Sequence, residues 1–402
     1  MKDLLHPLCL AIASAGFLFL LRDLGKGRRD ASVVALSLVF LSSALSFVFS
    51  ITPVWVRVDH FFGVTNIAAP IAQSCVIAVL VFQMNLLAHW GKPPAKARRR
   101  IRCHAIAGTA VIAGLFTLFA MLSPAVQQPT SFALYYAHDP FYKAYLTLYI
   151  SAYAAGEILL ARACWTYARR AQDVWLVRSL RMVAVGASIT LVYSAIRLSA
   201  LVGEVVGFSV HSLDPIAWAC GDIGAALTLI GFFLPTLAAR VRNVRGWVSG
   251  HLAYRRLGPL WEAMHRAVPS IVLMEPPSQL AELARLRSVD FLLYRRGVEI
   301  RDGQIELRPY LDPDVREAAE QQRRAQGLTE PDLTAAVTAD QIHHALIRKE
   351  HRQPVDTPAE YADERLPVPP KQESQHLLRI ASFFTPPMPS QPVHQQKANA
   401  PQ

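Results

Sequence analysis

Three ionisable side chains within apolar sequence are the residues of this chain best placed to do chemistry. Glu157, Arg197 and Asp222 each lie inside a long block that is otherwise almost free of charge. Burying a charge at such a position in a membrane costs a few kcal/mol, so its presence there suggests a function. At ~1.5 Å per helical residue, Arg197 lies ~13 Å and Asp222 ~9 Å below the same predicted surface. A pair between these two side chains is therefore geometrically reasonable, but the sequence does not decide whether it forms.

Other polar residues extend this group. Glu157 lies ~20 Å below that surface, at about the depth of Tyr193. The candidates for a ligand pocket or a polar pathway are Gln73, Glu157, Tyr193, Arg197, Glu204 and Asp222. In the structural alternative, the same side chains join helices by hydrogen bonds, and Arg197 extends outward to the membrane surface. Both interpretations are open at this point.

Seven apolar blocks must position these residues. Each is close to the ~20 residues that a helix needs to cross ~30 Å of hydrocarbon. The blocks cover residues 4–21, 31–51, 67–90, 103–122, 144–164, 183–206 and 216–239. They predict an all-α bundle of seven transmembrane helices over residues 1–240, in contact with the lipid bilayer.

Two of the blocks contain runs of small residues. The sequences AIAGTAVIAG (105–114) and GDIGAALTLIG (221–231) are rich in glycine and alanine. Small residues let the backbones of neighbouring membrane helices approach closely. We expect these runs to serve helix packing rather than catalysis.

Basic residues are concentrated in every second connector. The connectors after the first, third, fifth and seventh blocks carry clusters of arginine and lysine, whereas the other side has only Lys2, Arg57 and Lys143. The positive-inside rule then predicts a plasma-membrane protein with its N-terminus outside and its C-terminal region in the cytoplasm. These clusters contribute much of the net charge of +11, so we expect anionic lipid rather than nucleic acid as their partner.

Motifs of the common enzyme classes are missing. The chain has no HExxH, no GxSxG, no P-loop and no glycine-rich dinucleotide fingerprint. Its five cysteines lie in or at the ends of predicted spans without paired spacing, which indicates buried thiols. We expect no enzymatic activity, no cofactor and no metal site.

The composition changes at residue 240. We expect a mostly helical cytosolic domain over 241–352, with helices at 278–293, 314–326 and 331–350. A Pro-rich linker, a short helix at 374–384 and a disordered tail are predicted within 353–402. Aromatic residues recur at helical steps where this region begins. Trp247, Tyr254 and Trp261 are therefore the candidates for binding a cytosolic protein partner.

Residues 297–308 fit two different structures. Apolar residues alternate on both sides of Asp302-Gly303, which is typical of a β-hairpin. However, Leu293, Ile300 and Leu307 are seven residues apart, which suits a helix. The pattern slightly favours the helix.

Two segments of this region resemble a known family. RRLGPLWEAMHRAVPSIVL (255–273) and LLYRRGVEIRDGQIELRPYL (292–311) are similar to an actinobacterial family of multi-pass membrane proteins. The resemblance implies seven spans followed by a cytosolic C-terminal domain of unknown function. Members are labelled as transporters, so it also implies transport, without a substrate and without functional residues.

Two functions from different classes are consistent with the sequence. The embedded charges favour a transporter that moves a small solute through the bundle. The large C-terminal region favours a membrane sensor or scaffold whose tail binds a regulatory partner, with its short amphipathic helix docking into a groove. A polar path through the whole bundle would favour transport.

Overall fold

The computed structural model of the protein describes residues 2–24, 30–91, 94–129, 132–136, 138–206, 211–271, 289–364 and 370–387. These residues form helices and connectors, and no strand occurs among them. The chain divides into two compact units, Met1–Arg240 and Val241–Gln402. The predicted all-α fold is confirmed.

Seven helices in the described residues are long and apolar enough to cross a membrane, which confirms the seven predicted spans. The protein is therefore a multi-pass membrane protein. Two further short helices lie in the connectors. In chain order the nine are α1 (Lys2–Leu24), α2 (Ala31–Phe49), α3 (Thr52–Phe62), α4 (Ala68–Gly91), α5 (Pro94–Leu122), α6 (Phe132–Tyr135), α7 (Pro140–Ala168), α8 (Val174–Val206) and α9 (Asp214–Arg256).

Aspartates set the starts of several of these helices. The carboxylate of Asp30 accepts a hydrogen bond from the amide of Ser32 at 2.8 Å, and that of Asp139 accepts one from Phe141 at 2.7 Å. Such caps satisfy amides that have no partner inside the helix. Pro140 occupies the first position of α7, where its missing N–H costs nothing. Local sequence thus fixes where α2 and α7 begin.

One buried carboxylate organises the connectors between the spans. Asp59, 4% exposed, accepts hydrogen bonds from the amides of Asn66 (2.8 Å) and Ala68 (3.2 Å). It also accepts one from Nε2 of Gln127 at 2.9 Å. Because residue 127 follows α5 and residue 59 lies in α3, this side chain holds two connectors together.

The glycine-rich run in α9 brings its backbone against α8. A Cβ atom on Gly224 would lie 2.8 Å from the carbonyl oxygen of Gly186 and 3.0 Å from the amide nitrogen of Thr190. Further along, the hydroxyl of Ser179 donates to the carbonyl oxygen of Gly231 at 2.7 Å. The predicted close approach is confirmed for residues 221–231, because only glycine leaves room for this backbone contact.

The second unit is a helical domain with its own core. After the last turns of α9 it contains α10 (Gly258–Ala267), α11 (Val289–Leu307), α12 (Pro313–Ala325), α13 (Asp332–Glu350) and α14 (Pro370–Phe383). Leu260, Met264, Ile300, Ile342 and Ile380 are fully buried in one cluster. This cluster joins residues from α10, α11, α13 and α14, so the short C-terminal helix docks within its own chain.

The alternative of a β-hairpin at 297–308 is wrong, because residues 289–307 form one helix. Ile300 and Leu307 are fully buried on the face that the seven-residue spacing predicts. Gly303, the expected turn residue, instead packs against the side chain of Met264. Burial of one helical face decides between two patterns that the local sequence satisfies almost equally.

The described part of the predicted Pro-rich linker is also different from expectation. Residues 353–364 pack against other parts of the second unit. The amides of Val355 and Ala359 donate hydrogen bonds to the carbonyl oxygens of Pro309 and Leu311, both at 2.9 Å. The ring of Tyr361 is buried. The predicted helices at 314–326, 331–350 and 374–384 are present. The helix predicted at 278–293 lies largely outside the described residues, as does the predicted disordered tail from residue 388.

Candidate functional site

A cavity of about 390 Å³ opens inside the first unit. Helices α1, α2, α4, α7, α8 and α9 all contribute to its wall, and Trp55 and Phe132 reach it from α3 and α6. The bundle therefore surrounds a space within the size range of small-molecule sites, ~300–1,000 Å³.

Five of the six candidate residues from the sequence line this one cavity. They are Gln73, Glu157, Tyr193, Arg197 and Asp222. The sixth, Glu204, lies in α8, but its side chain is outside the described part of the protein. Residues separated by up to 149 positions thus converge on one space.

Arg197 does not pair with Asp222, although their depths would allow it. Nη1 of Arg197 lies 3.0 Å from Oδ1 of Asp214, near the start of α9. Asp214 lies two turns closer to the end of α9 than Asp222 does. Near the end of a membrane helix, a paired charge costs less free energy to hold. The Arg197 guanidinium also lies 5.6 Å from the ring centroid of Tyr193 and 5.1 Å from that of Trp218.

Asp222 has a different partner, from the first span. Its carboxylate lies 3.0 Å from Nδ1 of His6 in α1. The thiol of Cys9, one turn along the same helix, donates to the backbone carbonyl of Asp222 at 3.4 Å. The imidazole of His6 packs edge-on against Phe47 and Trp218. Asp222 therefore connects α9 to α1 rather than to α8.

Glu157 lies deeper in the cavity and is 5% exposed. Its Oε2 atom has no hydrogen-bond partner among the described residues, and neither does Oε1 of the buried Gln83. Gln73, in contrast, accepts a hydrogen bond from the hydroxyl of Tyr145. Two acceptor oxygens in the deep wall thus receive no hydrogen bond from the described residues.

Aromatic rings form a continuous part of the wall. The rings of Tyr149 and Tyr153 stack with centroids 6.0 Å apart, and Tyr193 meets Tyr153 edge-on at 6.4 Å. Trp218 continues the row at 6.1 Å from Tyr193. Stacked and edge-on contacts at these distances are the favoured arrangements of aromatic pairs.

The cavity occupies one half of the bundle. Its deepest lining residues include Gln83 of α4, Glu157 of α7 and Thr228 of α9. Beyond these positions, the same helices contribute to a buried apolar cluster that includes Leu86, Leu87, Leu160, Val183 and Phe232. In the described residues, therefore, the polar lining does not continue through the bundle.

Sequence reasoning missed several residues of the wall, although a signal for them exists. Asp214, Trp218 and Asp222 are four residues apart in α9, as are Tyr149, Tyr153 and Glu157 in α7. This spacing places three side chains along one face of a helix. A search for polar and aromatic residues at four-residue steps would have found both stripes. His6 carries no such signal, because its place in the wall depends on how α1 packs.

The three candidate partner-binding residues lie in α9 and α10. Trp261 donates its indole N–H to Oε2 of Glu299 at 2.7 Å. The guanidinium of Arg296 lies 3.5 Å from the ring centroid of Tyr254 and 4.8 Å from that of Trp261. Trp247 is 45% exposed, with its ring 4.2 Å from that of His251. Tyr254 and Trp261 therefore contribute to an intrachain cluster, and partner binding stays a prediction.

A buried ionic network is the most polar feature of the second unit. Asp363 lies 2.7 Å from Nη1 of Arg301 and 3.0 Å from Nε2 of His376. Burial by itself would raise the pKa of the Asp363 carboxyl, but hydrogen bonds from His376 and Arg301 outweigh it and lower the pKa below the usual aspartate range. Burial raises the pKa of the neighbouring Tyr361. The network joins α11, α14 and the segment between α13 and α14.

Comparison with known proteins gives one match. Residues 246–386 match the model of a family of unknown function (DUF6545). Both segments that carry the sequence resemblance, 255–273 and 292–311, lie inside this match. No curated protein and no solved structure matches the chain. The chain is thus a multi-span membrane protein with a domain of unknown function.

Proposed function

We propose that the protein transports a small solute, and that the cavity of the first unit is its binding site. The observation that carries this proposal is the convergence of Glu157, Arg197 and Asp222 on one cavity. Ionisable groups in a membrane bundle commonly line solute pathways, because burying them without a function is costly. The protein is proposed to act without enzymatic chemistry.

The apolar cluster beyond Gln83 and Thr228 is consistent with one closed state of a transport cycle. Alternating access requires that a site open to one side be sealed from the other.

Transport is tested with proteoliposomes loaded with a mixture of amino acids, amines, organic acids and sugars. We expect at least one solute to leave faster than from protein-free liposomes loaded with the same mixture. Arg197→Ala or Asp222→Ala should lower that rate at least about tenfold, which corresponds to a loss of ~1.4 kcal/mol of stabilisation. Mass spectrometry of the external medium measures the efflux. Glu262→Gln, which removes an exposed carboxylate of the second unit, is the control and should leave the rate unchanged. Equal efflux from liposomes with the wild type, with either variant and without protein would contradict transport.

The second candidate function is a membrane sensor whose tail binds a regulatory partner. The same apolar cluster favours it, since a binding cavity without an onward path suits a receptor. Solute binding without flux, accompanied by changed hydrogen exchange in residues 289–364, would replace transport with sensing.

The proposed orientation places the N-terminus outside and the second unit in the cytoplasm. It is supported by the arginine clusters, which all fall on the side of the C-terminal region. We expect a green fluorescent protein fused after residue 402 to fluoresce and an alkaline phosphatase fused there to be inactive. A phosphatase fused within residues 123–131, in contrast, should be active. The opposite pattern of reporter activity would invert the topology.

A further inference from the structure

Two buried acceptor atoms mark the deep wall of the cavity as incomplete. Glu157 and Gln83 line the same space, and neither Oε2 of Glu157 nor Oε1 of Gln83 receives a hydrogen bond from any described residue. The two residues are 5% and 3% exposed. Because buried acceptors are normally satisfied, this part of the wall is complementary to a ligand that donates hydrogen bonds.

The balance of charge favours a cation. Among the described lining residues, three carboxylates face one guanidinium and one imidazole, so the formal charge is −2 with His6 neutral. Arg197 is paired with Asp214, and Asp222 with His6. Glu157 forms no ion pair in the described residues. An anionic ligand would meet a negative wall, whereas a cation would be attracted to Glu157, the lining carboxylate that has no ion-pair or imidazole partner among the described residues.

The aromatic wall adds a second type of contact for a cation. Tyr149, Tyr153 and Tyr193 flank Glu157 in the row of rings that continues to Trp218. The faces of such rings attract ammonium and guanidinium groups. The protein already uses this property, because the guanidinium of Arg197 lies 5.1 Å from the centroid of Trp218.

The rest of the lining is apolar, which limits the body of the ligand. Val76, Val79, Leu80 and Leu146 contribute to the wall, and the space measures about 390 Å³. A hydrated inorganic ion would leave these surfaces without a contact. A compact hydrocarbon body would cover them and gain free energy by leaving water.

We propose that the cavity binds a small organic ammonium ion that has at least one N–H group and an apolar body. Glu157 and Gln83 accept the hydrogen bonds of the nitrogen, and the tyrosine rings surround the charge. This assignment rests on the proposed function, since it names the class of solute that the same site takes.

The test measures binding to the full-length protein in lipid nanodiscs by isothermal titration calorimetry. The probes are ethylammonium, cyclohexylammonium and phenethylammonium, each with an alcohol and a carboxylate of the same size. We expect at least one ammonium ion to bind more tightly than its alcohol and its carboxylate. Glu157→Gln, which keeps shape, should weaken ammonium binding at least about tenfold, the usual effect of losing a charge-assisted hydrogen bond.

Further variants separate charge from folding. Glu157→Asp retains the carboxylate and should bind the ammonium ion better than Glu157→Gln does. Gln83→Leu should weaken binding less than Glu157→Gln, and the exposed-site control Glu262→Gln should not change it. The thermal midpoint of each variant shows that it is folded.

The outcomes distinguish the class of ligand from the function of the cavity. An alcohol or a carboxylate that binds best would overturn the ammonium assignment. If Phe or Ala substitutions at Tyr153 abolish that binding, the cavity remains a solute site. Ammonium binding that is unchanged in Glu157→Gln also overturns the assignment. If none of the nine probes binds, the ammonium assignment is overturned, and efflux from the proteoliposomes decides separately whether the cavity serves another solute.

Discussion

Replacing Gly224 with alanine is expected to destabilise the membrane bundle by about 1–3 kcal/mol, the usual cost of overpacking. The new Cβ would lie 2.8 Å from the carbonyl oxygen of Gly186 and 3.0 Å from the amide nitrogen of Thr190. Both are backbone atoms, so relief requires α8 and α9 to move apart. That movement would also strain the hydrogen bond from Ser179 to Gly231. Unfolding by sodium dodecyl sulfate in mixed micelles measures the decrease in the free energy of unfolding.

Gly246 in the same helix is the matched control. A Cβ there would meet no atom of the described residues within 4 Å. Alanine at this exposed position should stabilise α9 by up to about 1 kcal/mol, because glycine is the poorer helix former. Opposite signs at positions 224 and 246 are therefore expected. An unchanged unfolding midpoint for Gly224→Ala would contradict the close contact between α8 and α9.

Replacing Asp363 with alanine is expected to have the largest effect in the second unit. The change leaves Arg301 and His376 without their common partner, and breaking a buried pair in this way typically costs ~3–5 kcal/mol. The side chain of Arg301 is 29% exposed and can reach water, so we expect a loss of about 3 kcal/mol, at the low end. Urea unfolding of the full-length protein, followed by hydrogen exchange in residues 289–364, measures it.

An exposed ion pair provides the comparison. Arg324 and Glu320 lie 2.6 Å apart in α12, with side chains 65% and 40% exposed. Glu320→Ala should cost no more than ~1 kcal/mol, because solvent screens the pair. A loss for Asp363→Ala as small as this one would show that the network does not stabilise the unit.

The lowered pKa of Asp363 also predicts a pH dependence. A carboxyl group whose folded pKa is depressed contributes stability that is present above the unfolded value, near 3.8. The contribution is lost as the pH falls below that value and through the folded pKa. The difference in stability between the wild type and Asp363→Asn should therefore narrow on acidification below about pH 4. A difference that is constant between pH 6 and pH 3 would contradict this cause.

Several features of the protein follow from local sequence. The lengths of the apolar blocks predict seven spans, because the thickness of the bilayer fixes how many residues a helix needs. The same logic gives the depths of Glu157, Arg197 and Asp222, since each residue adds a fixed rise. All three residues line the cavity, which their depths allow but do not require.

The pairing of those charges required the tertiary structure. Depth along a helix does not fix the direction in which a side chain points, and that direction depends on how each helix is rotated against its neighbours. Arg197 therefore meets Asp214 instead of Asp222, and Asp222 meets His6 from a helix more than 200 positions earlier in the chain. Residues 297–308 also required the tertiary structure. Their sequence fits both a hairpin and a helix, and burial of Ile300 and Leu307 selects the helix.

The sequence by itself thus determined the all-α class, the seven spans and the depth of each embedded charge. Those properties depend on composition, length and rise per residue, which are local. Only the tertiary structure decided that the charges line one cavity, which side chains contact Arg197 and Asp222, and that Glu157 and Gln83 each have an acceptor oxygen without a partner among the described residues. These properties depend on contacts between helices distant in the chain, and packing of the whole bundle sets them.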